Sequence, residues 1–214
     1  MGLHHIDDPI NEVVKHQEQQ RYREAERLRA PGYGRTRREG SVYTGKIRIK
    51  ETDQSDLPNI MQLWNNGQVM FYVGFPRGLG VTMERLQQWL EGINRDIYSR
   101  HYSIYAQDIG YCGETFYEVY RDHDLAVMDI KLLPEAHGKG IAAYALSYSI
   151  DQVFRNNLTT KAYVDPHPDN KKAWELYAKL GFTSKPRPEF LPAGPTYLEV
   201  TPDTFKCACP AESA

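Results

Sequence analysis

The sequence predicts an α/β (α+β) domain with a mixed, mostly antiparallel twisted sheet and helices on both faces. Three observations lead to this prediction. Short segments with alternating apolar and polar residues recur along the chain and are typical of half-buried strands. Longer segments between them carry apolar residues at helical spacing. The two kinds of segment follow the order β-α-α-β-β-β-α-β-α-β, which favours helices packed against a sheet.

The first three elements are marked by their local patterns. Residues 46–52, KIRIKET, alternate and predict a strand. A helix is expected to continue through residues 60–66, IMQLWNN, because Pro58 suits its first turn. Residues 82–96 place apolar side chains at helical spacing behind Thr82, which predicts an amphipathic helix with a side-chain cap.

The remaining elements lie in the second half of the chain. Five further strands are expected at residues 101–107, 110–120, 124–133, 160–164 and 196–200, and two helices at residues 138–157 and 168–180. A tight turn near Asp108 joins the first two of these strands. Gly181 is placed to end the last helix as the residue that takes the left-handed conformation.

The chain divides into three parts by composition. Residues 1–42 form a charged extension, for which a helix packed on the domain or on a second subunit is expected. Between Val14 and Arg38 this extension holds eight basic and three acidic residues, so an arm for nucleic acid or a membrane is the alternative. Residues 43–202 form the domain, and residues 203–214 are expected to be a flexible tail.

Bulk composition argues against several classes of protein. The formal net charge is −2 over 214 residues, so no global field favours nucleic acid. No stretch approaches the roughly 20 apolar residues of a membrane helix, and the first residues lack a signal-peptide pattern. We therefore expect a cytoplasmic protein that binds neither nucleic acid nor membrane, with a homodimer as a candidate assembly. Three cysteines at no common zinc spacing predict no metal site.

A glycine-containing turn joins the 124–133 strand to the helix after it. Gly138 and Gly140 leave backbone N–H groups uncovered at a helix start, where the helix dipole favours anions. Such a turn either holds a phosphate or needs glycine only for its backbone angles, and the local pattern leaves both open. Its spacing fits neither a Walker A loop nor the dinucleotide-binding fingerprint.

Two motifs resemble those of the GCN5-related N-acetyltransferases, the GNAT superfamily. The first is His137-Gly138-Lys139-Gly140-Ile141-Ala142, which resembles the family's [QR]-x-x-G-x-[GA] and departs from it at His137. The second, DNKKAWELYAKLGF at residues 169–182, is similar to the family's N-x-x-A-x-x-L-Y-x-x-x-G-F. Asp165-Pro166-His167-Pro168 resembles the aminoglycoside N-acetyltransferase branch, and ribosomal-protein N-terminal acetyltransferases share the overall pattern. The resemblance covers about residues 45–200 and implies the acyl-CoA N-acyltransferase fold.

The resemblance implies acetyl-CoA as cosubstrate. The residues it assigns to the pyrophosphate turn are His137, Gly138, Lys139, Gly140, Ile141 and Ala142. In this family the two central strands separate to admit the thioester, so Lys131, Leu132 and Leu133 are expected to hydrogen-bond the pantetheine arm. Asn170 is expected either to bond the cofactor arm or to cap its helix.

Acetyl transfer to an amine needs a group that takes the amine proton and a group that protonates the leaving thiolate. Tyr177 matches the family's tyrosine near the thioester sulfur, although its helical spacing also fits a core residue. Alternation along the 124–133 strand puts Asp129 and Lys131 on one face. Asp129 is therefore either a base facing the acceptor or the partner of Lys131. Glu114 is the second candidate base, and a water relay is the third possibility.

Acidic residues are frequent where the acceptor is expected. Residues 108–135 hold seven acidic and two basic side chains, which suits a polycationic acceptor or simply a solvated hairpin. We therefore expect an acetyl-CoA-dependent N-acetyltransferase acting on a primary amine of a small cationic molecule, aminoglycoside-like or a polyamine. The alternatives are a protein N-terminal acetyltransferase and a non-catalytic acyl-CoA-binding module.

Overall fold

The computed structural model describes residues 46–95 and 97–208. In this part of the chain one sheet contains the strands β1 Ile47–Glu51, β2 Ser99–Ala106, β3 Gly110–Tyr120, β4 Leu125–Leu132, β5 Ala162–Val164, β6 Thr183–Ser184 and β7 Leu198–Val200. The α-helices are α1 Leu57–Trp64, α2 Gly67–Met70, α3 Met83–Ile93, α4 Ile141–Arg155 and α5 Lys171–Lys179. The predicted N-terminal extension, residues 1–42, lies outside the described residues.

The sheet is mixed and mostly antiparallel, as predicted. Its spatial order is β1-β2-β3-β4-β5-β7-β6, and only the β4–β5 pair is parallel among the described strands. Helices cover both faces, as two neighbouring residues of β3 show. The Thr115 hydroxyl lies 3.1 Å from the Ser149 hydroxyl of α4, whereas the Glu114 carboxylate accepts a bond from Trp64 of α1. Because successive strand residues point to opposite faces, α4 and α1 lie on opposite sides of the sheet.

The face under α4 holds the main apolar core. Side chains from β3, β4, β5 and β7 pack there against α4 and α5, and the fully buried members are Ala126, Leu146, Ile150, Val153, Ala162, Leu180 and Val200. The spacing of Leu146, Ile150 and Val153 is the helical repeat that predicted α4 from the sequence. This core holds α4 and α5 against the central strands.

The structure changes some of the predicted element boundaries. Helix α4 begins at Ile141 rather than near residue 138, because Gly138 and Gly140 take left-handed φ values of 73° and 79°. The helix predicted through residue 66 ends at Trp64, and Gly67 begins the separate helix α2 behind Asn66, whose side chain accepts from the N–H groups of the first turn. The two-residue strand β6 was missed because both of its residues are exposed and carry no alternation signal.

The expected start of the flexible tail, residue 203, is corrected by the structure. The Lys206 N–H donates to the Leu180 carbonyl at 3.0 Å, and the Ala208 N–H donates to the Ser147 hydroxyl at 2.9 Å. The Phe205 ring contacts Phe154 of α4, with centroids 5.9 Å apart. Residues 203–208 therefore pack against the domain, and residues 209–214 lie outside the described residues.

Packing of this C-terminal segment can be tested at Gly181. Gly181 has a φ of 93°, and a Cβ placed there would lie 1.9 Å from the Thr204 carbonyl oxygen. We expect Gly181→Ala to lose about 1–2 kcal/mol from the left-handed backbone and more from displacement of residues 203–208. Thermal unfolding followed by circular dichroism measures the loss.

Gly110→Ala is the matched control for that substitution. Gly110 also has a left-handed φ, of 85°, but no atom lies within 4 Å of the position of its added Cβ. Gly110→Ala should therefore lose only the stability that the left-handed backbone costs, without any loss from displaced neighbours. Equal melting temperatures for the two variants would contradict the packing of residues 203–208 described above.

Candidate active site

The central feature of the site is the separation of β4 and β5. The two strands pair only at Ala126 with Ala162 and at Val127 with Tyr163, although β4 continues to Leu132. The chain leaves β5 through Asp165-Pro166-His167-Pro168, and proline cannot donate a ladder hydrogen bond. A V-shaped opening therefore lies between the end of β5 and the last five residues of β4.

Backbone alternation decides which groups of β4 face this opening. The Ala126 N–H donates to Lys161, toward β5, whereas the Leu133 N–H donates to Cys112 of β3 at 2.8 Å. Residues in phase with Ala126, namely Ile130 and Leu132, therefore turn their backbone groups toward the opening. Of the three residues expected to bind the pantetheine arm, Leu132 has this orientation, while Lys131 and Leu133 bond toward β3.

Two side chains of the protein bond to these backbone groups. The Ile130 N–H donates to Asp129 Oδ1 at 2.8 Å, and His137 Nε2 lies 3.1 Å from the Leu132 carbonyl oxygen. Partial removal from water lowers the pKa of His137, so its ring is neutral at neutral pH. Since a carbonyl oxygen only accepts, the ring proton lies on Nε2.

The glycine turn presents the start of α4 to open space. Gly140 occupies the N-cap position and supplies no side-chain cap, so the first N–H groups of the helix, including those of Ile141 and Ala142, have no partner within the helix. No atom lies within 4 Å of a Cβ placed on Gly138 or Gly140. With Lys139 in the same turn, this arrangement has the geometry and charge that suit a phosphate group.

Tyr177 of α5 lies in the apolar core beneath the opening. Its side chain packs with residues of β4, β5 and α4, and the residue is 7% exposed. Burial raises the pKa of the Tyr177 phenol well above its ordinary range, and the charges of Asp129 and Asp165 raise it further. The phenol therefore keeps its proton at neutral pH, and its hydroxyl lies within electrostatic range of both carboxylates.

Asp129 lies on the opposite face of β4. Its Oδ2 pairs with the Lys131 ammonium, which is the ion pair that alternation along the strand allowed. Its side chain is nevertheless 43% exposed, so the carboxylate is also accessible from the α1 side. The structure thus combines the ion pair and an accessible carboxylate in one residue.

Glu114 of β3 has a very different environment from Asp129. It is 2% exposed and accepts hydrogen bonds from Trp64 Nε1 at 2.7 Å, His101 Nε2 at 3.0 Å and Lys131 Nζ at 3.2 Å. Burial alone would raise the pKa of Glu114, but the charges of Lys131 and His101 and these hydrogen bonds lower it to about 2. A carboxylate held in this way is poorly suited to take a proton at neutral pH, so the geometry favours Asp129 over Glu114 as the base.

His101 and Thr52 belong to the same buried network and were not predicted from the sequence. The Thr52 hydroxyl lies 2.7 Å from His101 Nδ1 and 2.9 Å from the Ser103 hydroxyl. Finding His101 beside Glu114 requires the β2–β3 register, which pairs Ser103 with Glu114 and so puts all three side chains on one face. No local motif carries that information.

Asp165 and Arg187 form a second ion pair at the other side of the opening. Arg187 Nη2 donates to Asp165 Oδ2 at 3.1 Å, and the same guanidinium donates to the carbonyl oxygens of Pro192 at 2.6 Å and Thr196 at 2.8 Å. The Asp165 side chain is 44% exposed. Its pKa is raised, because partial removal from water outweighs the charge of Arg187. Arg187 thus fixes both Asp165 and the loop that covers this end of the sheet.

Asn170 caps α5. Its side-chain oxygen accepts from the Ala173 N–H at 3.3 Å, which is one of the two roles expected for it. A contact between Asn170 and the cofactor arm stays a prediction.

The described ranges lack both metal clusters and membrane-spanning helices. Residues 46–95 and 97–208 contain no cluster of three or more His, Cys, Asp or Glu side chains able to hold a metal ion. Within the same ranges, no helix combines the length and apolarity needed to cross a membrane.

Comparisons with known proteins agree with this geometry. Residues 46–183 match the Acetyltransferase (GNAT) domain family. A curated spermidine N(1)-acetyltransferase of Escherichia coli K12 is 27% identical over 137 residues, which are 64% of this chain and 73% of that protein. The chain therefore belongs to the GNAT acetyltransferase family, and the expected class of enzyme is confirmed.

Solved structures show the same fold. A Vibrio cholerae spermidine N-acetyltransferase, crystallised with CoA and spermine, has a TM-score of 0.63 and 22% identity, covering 74% of this chain and 96% of its own. A ribosomal L7/L12 alpha-N-protein acetyltransferase in complex with coenzyme A also has a TM-score of 0.63, at 17% identity, covering 77% and 98%. The acyltransferase fold expected from the two motifs is confirmed.

The buried Glu114 predicts a specific dependence of stability on pH. Its pKa is lowered from 4.5 to about 2, so its contribution is fully present above about pH 4.5 and is lost as the pH falls toward 2. Over that range the loss is about 3 kcal/mol. We expect Glu114→Gln to be less stable than wild type at pH 7 and the difference to narrow on acidification, as measured by urea unfolding from pH 7 to 3.

Glu175→Gln, on the exposed side of α5, is the control for removing a negative charge. Its stability should follow that of the wild type across the same pH range within about 0.5 kcal/mol. A constant difference between wild type and Glu114→Gln at every pH would show that Glu114 is not held as an anion.

Proposed function

We propose that this protein transfers the acetyl group of acetyl-CoA to a primary amine of a small cationic molecule, a polyamine or an aminoglycoside-like compound. One observation carries the proposal. Two accessible carboxylates, Asp129 and Asp165, lie beside the opening between β4 and β5, and both raise the pKa of the buried Tyr177 phenol, which keeps its proton. The similarity to spermidine acetyltransferases supports an amine acceptor of this kind.

The groups that would hold the cosubstrate fit it chemically. The N–H groups from Gly138 to Ala142 are suited to the pyrophosphate, and the open glycine positions leave room for it. Backbone groups of Ile130 and Leu132 are placed to bond an extended pantetheine arm as an added strand would. The bonds that Asp129 and His137 now make to Ile130 and Leu132 would then be exchanged for bonds to the ligand.

Acetyl-CoA supplies the acetyl group as an activated thioester. Asp129 is the residue proposed to receive the proton of the attacking amine. Each of its carboxylate oxygens accepts one hydrogen bond within the protein and keeps a second lone pair for the substrate. Tyr177 is proposed to donate its hydroxyl proton to the leaving sulfur, a role that needs a phenol still protonated at neutral pH.

The charges around the opening favour a cationic acceptor. Asp129 and Asp165 pair with Lys131 and Arg187, while the buried Glu114 shares Lys131 with Asp129 and is also bonded by His101. The two members of this cluster that are exposed, Asp129 and Asp165, are both carboxylates. A substrate with more than one ammonium group could pair with both exposed carboxylates at once. For this reason a polyamine-like acceptor is preferred.

Binding of the cosubstrate can be tested at Gly140. Gly140→Asp should abolish acetyl-CoA binding, since it puts a negative charge against the pyrophosphate, whereas Gly140→Asn has nearly the same volume and backbone strain without the charge. We expect at least tenfold weaker binding for Asp than for Asn by titration calorimetry with a chelator present. Equal affinities for the two variants would place the pyrophosphate elsewhere.

The catalytic roles can be tested with an acceptor panel of spermidine, an aminoglycoside, lysine and a short peptide with a free N-terminus. We expect wild type to release CoA with a polyamine or an aminoglycoside. Tyr177→Phe keeps the ring and should lower kcat roughly 10- to 1000-fold with little change in acetyl-CoA affinity. Asp129→Asn should lower kcat/KM for the amine and shift the acidic limb of its pH profile.

Other outcomes of this panel have distinct meanings. Turnover of the peptide alone would favour an N-terminal acetyltransferase, and acetyl-CoA binding without any turnover would favour the non-catalytic module. Full activity in Tyr177→Phe would remove the proposed proton donor. A pH profile unchanged by Asp129→Asn would assign the proton to a water relay.

A further inference from the structure

Lys131 is a buried cation between two carboxylates with different roles. Its side chain is 13% exposed and its ammonium pairs with Glu114 Oε1 at 3.2 Å and with Asp129 Oδ2. Glu114 lies directly opposite Lys131 in the β3–β4 register, and Asp129 lies two residues before it on the same face of β4. The ammonium therefore joins an inaccessible carboxylate to an accessible one.

Glu114 is a rigid anchor for this ammonium. Trp64 of α1 and His101 of β2 hold its two oxygens, and His101 is held in turn by Thr52 at the end of β1. A lysine side chain has four rotatable bonds and keeps one geometry only when its donors are fixed by partners. The position of the Lys131 ammonium is thus set by elements that lie away from the opening.

We infer that Lys131 is a positioning residue for acetyl transfer, which orients the Asp129 carboxylate at the opening and is itself fixed by Glu114. The inference rests on the proposed function, in which Asp129 contacts the amine. The sequence predicted Lys131 as a backbone contact to the cofactor and, as one alternative, as the partner of Asp129, but not as a link to Glu114. The Lys131 side chain holds one Asp129 oxygen, and it would go on holding it when the pantetheine arm takes the Ile130 N–H from the other oxygen.

Four charged or titratable groups face Asp129 from the elements around it. They are Lys131 of β4, Glu114 of β3, Asp165 after β5 and Tyr177 of α5. Lys131 is the one cation among these four groups. Loss of Lys131 removes the one positive charge held against the Asp129 carboxylate, so the pH dependence of acetyl transfer should change with it.

The decisive variant is the double substitution Lys131→Met with Glu114→Gln. Lys131→Met alone would remove the ammonium that pairs with the buried Glu114 charge and could fail to fold, whereas the double variant removes both charges together. We expect it to fold and to bind acetyl-CoA like wild type. Its kcat/KM for spermidine, or for the best acceptor in the panel, should fall roughly 10- to 100-fold with the acidic limb displaced.

Lys50→Met with Asp56→Asn is the matched control. This pair joins a lysine of 25% side-chain exposure to a buried aspartate at the start of α1, at a distance of 2.7 Å. It should reduce the melting temperature and leave kcat/KM per folded molecule and the pH profile unchanged. If the Lys131 double variant behaves in this same way, the ion cluster only stabilises the fold and the inference is overturned.

A crystal structure of the Lys131→Met, Glu114→Gln variant tests the inference without catalysis. The Asp129 carboxylate should leave its orientation when its Oδ2 loses the ammonium, and an unchanged carboxylate would overturn the inference. Failure of the wild type to acetylate any amine would instead overturn the proposed function. The two failures are therefore distinguishable.

Discussion

The burial of one carboxylate, that of Glu114, fixes much of the arrangement around it. An ionised carboxylate away from water is costly unless every oxygen is bonded and a counter-charge is near. Here the donors come from three different elements, namely Trp64 of α1, His101 of β2 and Lys131 of β4. If any of these elements moved, the Glu114 carboxylate would lose a hydrogen-bond donor. The position of α1, the register of β2, β3 and β4, and the ionised state of Glu114 therefore depend on one another.

This constraint also makes the two faces of the sheet chemically different. A slip of one residue in β3 would bring Glu114 under α4, where Thr115 now lies beside the Ser149 hydroxyl among apolar side chains. The face under α4 is therefore apolar and contains the phenol of Tyr177, whereas the other face carries the carboxylates. The opening between β4 and β5 lies at the boundary of these two environments.

The parts of the site that a single segment encodes could be predicted from the sequence. Gly138 and Gly140 lie between a strand and an amphipathic helix. Tyr177 lies in a helix that is followed by Gly181. In both cases the adjacent residues of the sequence are enough to identify the position. The alternation that pairs Asp129 with Lys131 is likewise local. These features, with the order of the elements, were enough to predict the class of fold.

The rest of the site depends on contacts between distant segments. His101 meets Glu114 only through the β2–β3 register, and that register contains an irregularity between Ile104 and Tyr105 that alternation cannot reveal. Arg187 meets Asp165 across 22 positions of the chain, and Arg187 itself lies in a proline-containing loop after β6 that has no strand or helix pattern. The packing of residues 203–208 depends on a hydrogen bond to Ser147 across 61 positions. Contacts between residues this far apart cannot be recognised from any short stretch of the sequence.

The separation of β4 and β5 leaves Asp129 on β4 and Asp165 just beyond the end of β5, each beside its own cation. Two carboxylates that share a site without counter-charges raise each other's pKa, and the charge of Asp129 does contribute to the raised pKa of Asp165. Lys131 of β4 and Arg187 of the loop after β6 supply the positive charges that oppose that effect. The divergence of β4 and β5 thus leaves two exposed carboxylates beside one opening, each with its own counter-charge.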